Sequence, residues 1–401
     1  MLKFCHLSKT FILLFCSMLM NVVYADVDNW QMNMFKGVTP VSRDMYQLHM
    51  IAMQICAIIG VVVFGVMIYS LIHHRKSKGY QAAKFHDNTR LEVVWTIIPF
   101  LILLGLAFPA TRTLIKLENT ERATVTIKVV GSQWKWDYTY LDQGLHFYSN
   151  LDTLPDEIAN KTAKSANYLL SVDNELVVPV HRKIRFLVTA SDVIHSWWVP
   201  ELGVKRDAIP GFMHEAWAKI QKPGIYRGQC TELCGVGHGY MPIVVRAVSD
   251  DEFKAWVNQK LQEQRQWQEQ QVDVTHQPNL SRDELLNLGK KQYRRFCAAC
   301  HQNNGLGIPP MYPALKGSSI AVGHPISRHI DLILYGSPGS AMQAYDQMLS
   351  NEDIAAIVTY ERNAWENNTN DMIQAIDVAK QRVGSQTQPI MIKKSKVGGL
   401  K

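Results

Sequence analysis

The sequence predicts a multidomain membrane protein built from a two-helix transmembrane hairpin, a β-sandwich and an all-α domain. Three observations carry this. Two long apolar runs lie at about 48–72 and 93–115, uncharged apart from Arg112 near the end of the second. Short segments of alternating pattern follow at 124–130, 134–140, 184–188 and 243–248, with Pro and Gly between them. A helical pattern then runs over 285–368. With 401 residues the chain has length for two or three domains.

Residues 1–25 read as a secretory signal: Lys3 and Lys9 supply charge, 11–20 is apolar, and Val23-Tyr24-Ala25 offers a small-residue cleavage site. A lipid anchor at Cys16 is the weaker reading, because Phe15 is large for the preceding position. Residues 26–118 hold an N-terminal segment and the hairpin, and each apolar run is long enough to cross a bilayer core. Between the runs lie Arg75, Lys76, Lys78, Lys84 and Arg90, so the turn is expected on the cytoplasmic side and both outer ends on the other. A cleaved signal gives the same orientation.

Residues 119–256 are the expected sandwich, and Ser249-Asp250-Asp251-Glu252 reads as a capping box opening a short helix. The stretch 257–284, rich in Gln, Glu and Arg, reads as a linker with some helix. Residues 369–401 read as a basic, disordered tail, with Lys380, Arg382, Lys393, Lys394, Lys396 and Lys401 and no acid after Asp377. The formal net charge of +7 is mild for this size, and no basic patch interleaves with aromatics, which argues against nucleic acid as a partner.

The seven cysteines divide without remainder. Cys5 and Cys16 fall in the signal and Cys56 in the first apolar run; Cys230, Cys234, Cys297 and Cys300 remain as two pairs suited to cofactors rather than to a structural disulfide. Cys230, Cys234, His238 and Met241 stand within one short segment, and His195 lies upstream on another expected strand. Thiolate, imidazole and thioether form a soft set that favours copper over hard cations, and a cupredoxin-like sandwich presents ligands in this way. A mononuclear blue-copper site needs one cysteine, so the second argues for two metals.

Cys297-Ala298-Ala299-Cys300-His301 is a c-type haem attachment motif. The thiols would bind the haem covalently and His301 would ligate iron. Zinc would need two further ligands nearby, and no cysteine follows. For the sixth position Met342, in the loop before a final helix expected from 350 to 365, leads over Met311 and Met348.

Together these pieces resemble cytochrome c oxidase subunit II, in the bacterial class with a cytochrome c domain fused at the C-terminus. The strongest matches are Gln133-Trp134-Lys135-Trp136, His195-Ser196-Trp197, Asp207-Ala208-Ile209-Pro210-Gly211, the copper loop through Ile243, and Leu91-Glu92-Val93-Val94-Trp95. The resemblance implies a binuclear copper centre, CuA, with Cys230 and Cys234 bridging. His195 and Met241 would complete one copper, and His238 and the Glu232 carbonyl the other. It implies further that the Glu232 carboxylate reaches a magnesium ion at the subunit I interface, that electrons enter CuA through Trp134, and that Glu92 stands at the mouth of a proton pathway. Taken alone, Trp134 is an aromatic at a sandwich edge and Glu92 an acid favoured by a helix N-terminus. Lys135 departs from the family, where an aromatic is common at that position.

The implied role is that of the subunit through which electrons enter a proton-pumping terminal oxidase. They would pass from a cytochrome c-type donor via haem c and CuA to haem a of subunit I, which holds the haem–copper centre; a subunit III is a further implied partner. The implied location is the bacterial inner membrane, with both cofactor domains on the periplasmic side. A free-standing membrane-anchored carrier would carry the same two sites. A nitrous oxide reductase would need a His-rich propeller, and a quinol oxidase subunit would lack Cys230 and Cys234.

Overall fold

The computed structural model describes residues 33–81, 86–337 and 340–386. The expected signal segment, with Cys5 and Cys16, lies outside them.

Helix α1 spans Pro40–His73 and α2 spans Thr89–Glu118. Thr39 caps α1, accepting from the Ser42 amide, and Pro40 fills the first position, where its missing N–H costs nothing. Asn88 caps α2 by accepting from Leu91 N. These caps explain why both helices begin before the apolar runs do. The runs have mean hydropathies of 2.7 and 2.3 and are long and apolar enough to cross a membrane. Pro99 and Pro109 lie inside α2 without ending it, a tolerance typical of membrane helices.

The outer ends of both helices are tied to the sandwich. Val38 N donates to Glu201 O, Gln221 N to Val38 O, and Thr39 Oγ1 to Leu202 O. Trp217 Nε1 donates to Lys116 O, and Lys116 pairs with Asp44 across the hairpin.

The sandwich has two five-stranded sheets. One runs in the order β3-β2-β1-β5-β8, formed by β1 Val125–Ser132, β2 Lys135–Tyr140, β3 Leu145–Ser149, β5 Ile184–Ala190 and β8 His214–Ala218. The other runs β4-β10-β9-β6-β7, formed by β4 Leu176–Pro179, β6 His195–Val199, β7 Val204–Ala208, β9 Gly224–Cys230 and β10 Pro242–Val248. β1 pairs parallel with β5 and β4 parallel with β10, closing both sheets with long connections. Period-two alternation turns Val125, Ile127 and Val129 of β1, and Ile184, Phe186 and Val188 of β5, into the core, where Trp136, Tyr138, Tyr140 and Trp197 are also fully enclosed. Trp134 lies outside β2: Ser132 pairs with Lys135, so Gln133 and Trp134 form a two-residue hairpin turn.

Two expectations are corrected here. The helix opened by the Ser249 capping box is not short: α3 spans Asp250–Val272 and takes up much of the expected linker. Phe253 and Val257 are buried against the sandwich core, with Trp256 and Leu261 packed beside them. That spacing is one face of a helix, and the apolar stripe holds the segment in place despite its polar composition.

The expectation of a disordered tail is also corrected over residues 375–386; residues 387–401 lie outside the described ones. Helix α8, Ala375–Gln386, belongs to the helical domain with α4 Arg282–Phe296, the single turn α5 Ala298–His301, α6 Ser327–Tyr335 and α7 Asn351–Asn363. Ala375, Val378, Ala379 and Arg382 recur at one-face spacing and are buried. Arg382 donates to Asn351 Oδ1 at 2.6 Å and to Leu349 O at 2.7 Å, so its charge serves the interior.

Helices α4 and α7 cross at Gly289, where a Cβ would lie 2.0 Å from the Ala356 carbonyl oxygen. The two backbones meet because that side chain is missing. Gly289→Val is expected to destabilise the helical domain by about 1–3 kcal/mol or more, seen as an earlier midpoint in a guanidinium titration followed by tryptophan fluorescence; an unchanged midpoint would show that the crossing tolerates bulk.

Candidate metal centres

The copper loop is held at three points. His195 opens β6, Cys230 closes β9, and these strands pair with Trp197 opposite Cys230. Thr231 N donates to Ser196 O and Cys230 N to Met241 O, so the loop leaves and rejoins the sheet under backbone control. Trp136 Nε1 donates to Met241 O from the opposite sheet.

The soft donors converge. Cys230 Sγ lies 3.9 Å from Cys234 Sγ and 4.0 Å from His195 Nδ1. Cys234 Sγ lies 3.6 Å from both His238 Nδ1 and Met241 Sδ. The Glu232 carbonyl is 3.3 Å from Cys230 Sγ. His195, Cys230, Cys234 and Met241 are buried. The donor atoms of His195, Cys230 and Cys234 lie within 4.8 Å of one another, a group that could hold a metal ion.

Each ring nitrogen has one assignment. Asp192 Oδ1 engages His195 Nε2 at 2.9 Å, which turns Nδ1 toward the thiols. Burial works against the Asp192 carboxylate, but the His195 bond and the Gln133 and Val193 amides hold it below its usual range. Burial likewise opposes the His195 imidazolium, and Asp192 and Cys230 together outweigh it and raise the group. The hydrogen bond shared with Cys234, aided by His195, holds the Cys230 thiol below its usual range, while the same contact raises Cys234. The thiolate is the form of a cysteine that binds metal, so the pair is favoured toward its ligand form by this contact.

Trp134 lies flat on this loop. Its indole N–H donates to Cys234 O at 3.1 Å, beside Gln133 Nε2 at 2.8 Å. A Cβ at Gly237 would fall 2.3 Å from the indole, and Gly235, at φ +110°, would crowd both Gln133 and Trp134. Both glycines are therefore required by the close approach. Asp192 has one local signal in the sequence, an acid three residues before His195; Gln133 stands in the Gln133-to-Trp136 match, but its bonds are not legible there.

In the helical domain, Cys297 ends α4 and starts α5, and His301 closes that turn. His301 Nδ1 faces the Pro313 carbonyl at 2.9 Å, which leaves Nε2 as the nitrogen for iron. Burial pushes the Cys300 thiol up to about 11 and raises Cys297 further. Met342 packs against the same core cluster as Cys297, whereas Met311 is 69% exposed. Glu92 sits in the first turn of α2, exposed, at the basic-turn end of the hairpin.

A soft-donor cluster in a sandwich, a membrane hairpin below it and a haem-type motif in a fused helical domain define a membrane-anchored electron-transfer protein. Comparison with known proteins narrows the class. Residues 125–248 match the family described as the periplasmic domain of cytochrome c oxidase subunit II, and residues 27–113 match its transmembrane domain. Residues 284–360 match the family of cytochrome c oxidase, cbb3-type, subunit III. A probable cytochrome c oxidase subunit 2 of Rickettsia bellii is 40% identical over 232 residues, covering 58% of this chain and 84% of the relative. Subunit 2 of Cereibacter sphaeroides is 34% identical, covering 56% and 78%. The solved periplasmic domain of cytochrome oxidase subunit II of Bradyrhizobium japonicum is 43% identical, covering 36% of this chain and 99% of that one, with a TM-score of 0.33. The chain belongs to the cytochrome c oxidase subunit II family and is a subunit of that enzyme, with a general electron-transfer role and a cytochrome c domain at its C-terminal end.

Asp192→Asn is expected to weaken copper binding by about 10–100-fold, because the imidazole loses the partner that fixes its ring. Competition with a chelator on the full chain measures it, and equal affinity would remove Asp192 from the site.

Proposed function

We propose that this chain is the subunit through which electrons enter a proton-pumping terminal oxidase, taking them from a cytochrome c-type donor via haem c and binuclear CuA to haem a of subunit I. The observation that carries the reading is the convergence of two thiols, two imidazoles and a thioether beside one carbonyl, held by two paired strands and a stitched loop.

In this reading Cys230 and Cys234 would be shared by two coppers, His195 and Met241 would complete one, and His238 with the Glu232 carbonyl would complete the other. Cys297 and Cys300 hold haem c, with His301 and Met342 on its iron. Bound copper and haem supply reversible one-electron chemistry; the protein's part is to keep the ligands still. Asp192 fixes one imidazole, the Pro313 carbonyl fixes another, and the sandwich core prevents the thiols from moving apart. Trp134, bonded to the carbonyl of a bridging cysteine, is the aromatic path into the copper site.

Leu233 and Val236, 81% and 63% exposed on the copper loop, offer apolar surface for subunit I. The Glu232 carboxylate is the candidate magnesium ligand at that interface, and Glu92 the candidate acid at a proton pathway. The basic turn between α1 and α2 supports a cytoplasmic turn in the inner membrane, with both cofactor domains on the periplasmic side. Subunits I and III would complete the oxidase.

Cys230→Ser or Cys234→Ser is expected to abolish the near-infrared absorption of CuA while leaving the haem c spectrum; a retained band would sink the copper assignment. Met342→Leu is expected to lower the haem c potential, since the thioether favours the reduced iron. Redox titration decides, and the same effect from a Met311 or Met348 variant instead would move the ligand there.

A further inference from the structure

Lys135 is an unusual residue to find enclosed. It opens β2 directly after the Gln133-Trp134 turn, and it is only 5% exposed. A lysine ammonium loses strong hydration on burial and needs compensation. The compensation is shared: Asp137 and Asp192 of the sandwich favour the charge, and the haem-bearing domain supplies the direct hydrogen bond and one of two rings. Lys135 Nζ donates to Gln343 Oε1, and lies 4.9 Å from the ring centre of Tyr345 and 5.0 Å from that of Tyr148. Of these partners only Tyr148 belongs to the sandwich.

The contact continues on both sides of Lys135. Gln343 Nε2 donates to the Gln133 carbonyl at 2.8 Å and approaches Asp192 Oδ2 at 3.4 Å. The Tyr312 hydroxyl donates to Gln133 Oε1 at 3.4 Å, and the Gln133 amide reaches Cys234 O. Farther out, Arg295 pairs with Asp173 at 3.2 Å and Arg294 with Asp156 at 3.6 Å. These outer pairs are solvent-exposed and contribute little each. The centre of the contact is therefore the dry one. It joins the residue after Met342 to the turn that carries Trp134.

We propose that Lys135 and Gln343 form an intramolecular latch that seats the Met342 loop of the haem-bearing domain on the Gln133-Trp134 turn, making this chain's own haem domain the resident partner of its copper domain. Both are positioning residues: neither belongs to the ligand set of either centre. The latch accounts for a lysine enclosed at the start of β2. The inference rests on the reading of haem c and CuA as successive electron carriers for its consequence, but not for the docking itself.

The test uses the full chain within the assembled oxidase, with Lys135→Ala, Gln343→Ala and the double variant. Hydrogen–deuterium exchange is followed in segments 131–136 and 340–348. Electron transfer from photoreduced haem c to copper is followed by absorbance, with the haem and near-infrared copper bands recorded to confirm that both centres are intact. Each single variant is expected to raise exchange in both segments and to slow electron transfer by roughly tenfold, the loss expected for one charge-assisted hydrogen bond. The double variant is expected to be no slower than the slower single, because the two residues act as one contact. Unchanged exchange in both segments would overturn the latch. So would unchanged electron transfer with both bands intact. If the parent chain shows the protection but its haem never reduces copper, the electron-carrier reading fails and the latch stands.

Discussion

The pairing of β6 with β9 is the constraint on which the rest of the molecule depends. It places Trp197 opposite Cys230 and so fixes His195 and Cys230 across a ladder whose backbone cannot slide without turning every side chain to the other face. The loop from Thr231 to Met241 is then a closed excursion, tied at its base by Ser196 and by the Cys230–Met241 backbone bond. Soft ligands held this way have little freedom to reorganise, and a site that changes charge by one electron works best when little around it must move. The hairpin below is fastened to the same sandwich through Val38, Thr39 and Lys116, so the ligand frame and the membrane anchor form one mechanical piece.

The second theme is the economy of side chains between the two cofactor domains. Trp134 can lie on the copper loop only because Gly235 and Gly237 leave room for it. The same turn carries Gln133, which bonds to Cys234 O on one side and meets Tyr312 and Gln343 on the other. One two-residue turn thus touches the copper loop and the haem-bearing domain at once. Helix α3 supplies the tether. Its apolar face packs on the sandwich, and Gln271 near its end bonds to Asn351 at the start of α7. A linker that is mostly helix and docked at both ends leaves the helical domain little choice of position.

Much was legible from residues alone. The apolar runs, the alternating strands, the four soft donors of the loop with His195, and the Cys297-to-His301 motif are all local patterns set by spacing. The misjudged segments share a cause. By composition residues 257–272 and 375–386 read as polar linker and basic tail, while the helices that contain them are held by sparse stripes, Phe253, Trp256, Val257 and Leu261 in one and Ala375, Val378, Ala379 and Arg382 in the other. Averaging over charge hides such a stripe. In the sequence Arg382 reads as tail charge, whereas its bonds to the Asp346 and Leu349 carbonyls make it an interior group.

By itself the sequence determined the ligand types, the membrane hairpin and the order of the parts, because thiols, imidazoles and apolar runs declare their chemistry without reference to distant residues. Only the tertiary structure decided that His195 meets Cys230 and Cys234, that Asp192 orients His195, and that Lys135 is enclosed by Gln343 and Tyr345. Asp192 and His195 are three positions apart, but the other contacts join residues 35 to 210 positions apart. No local pattern encodes them; they follow from which faces of the sheets and helices can be removed from water together.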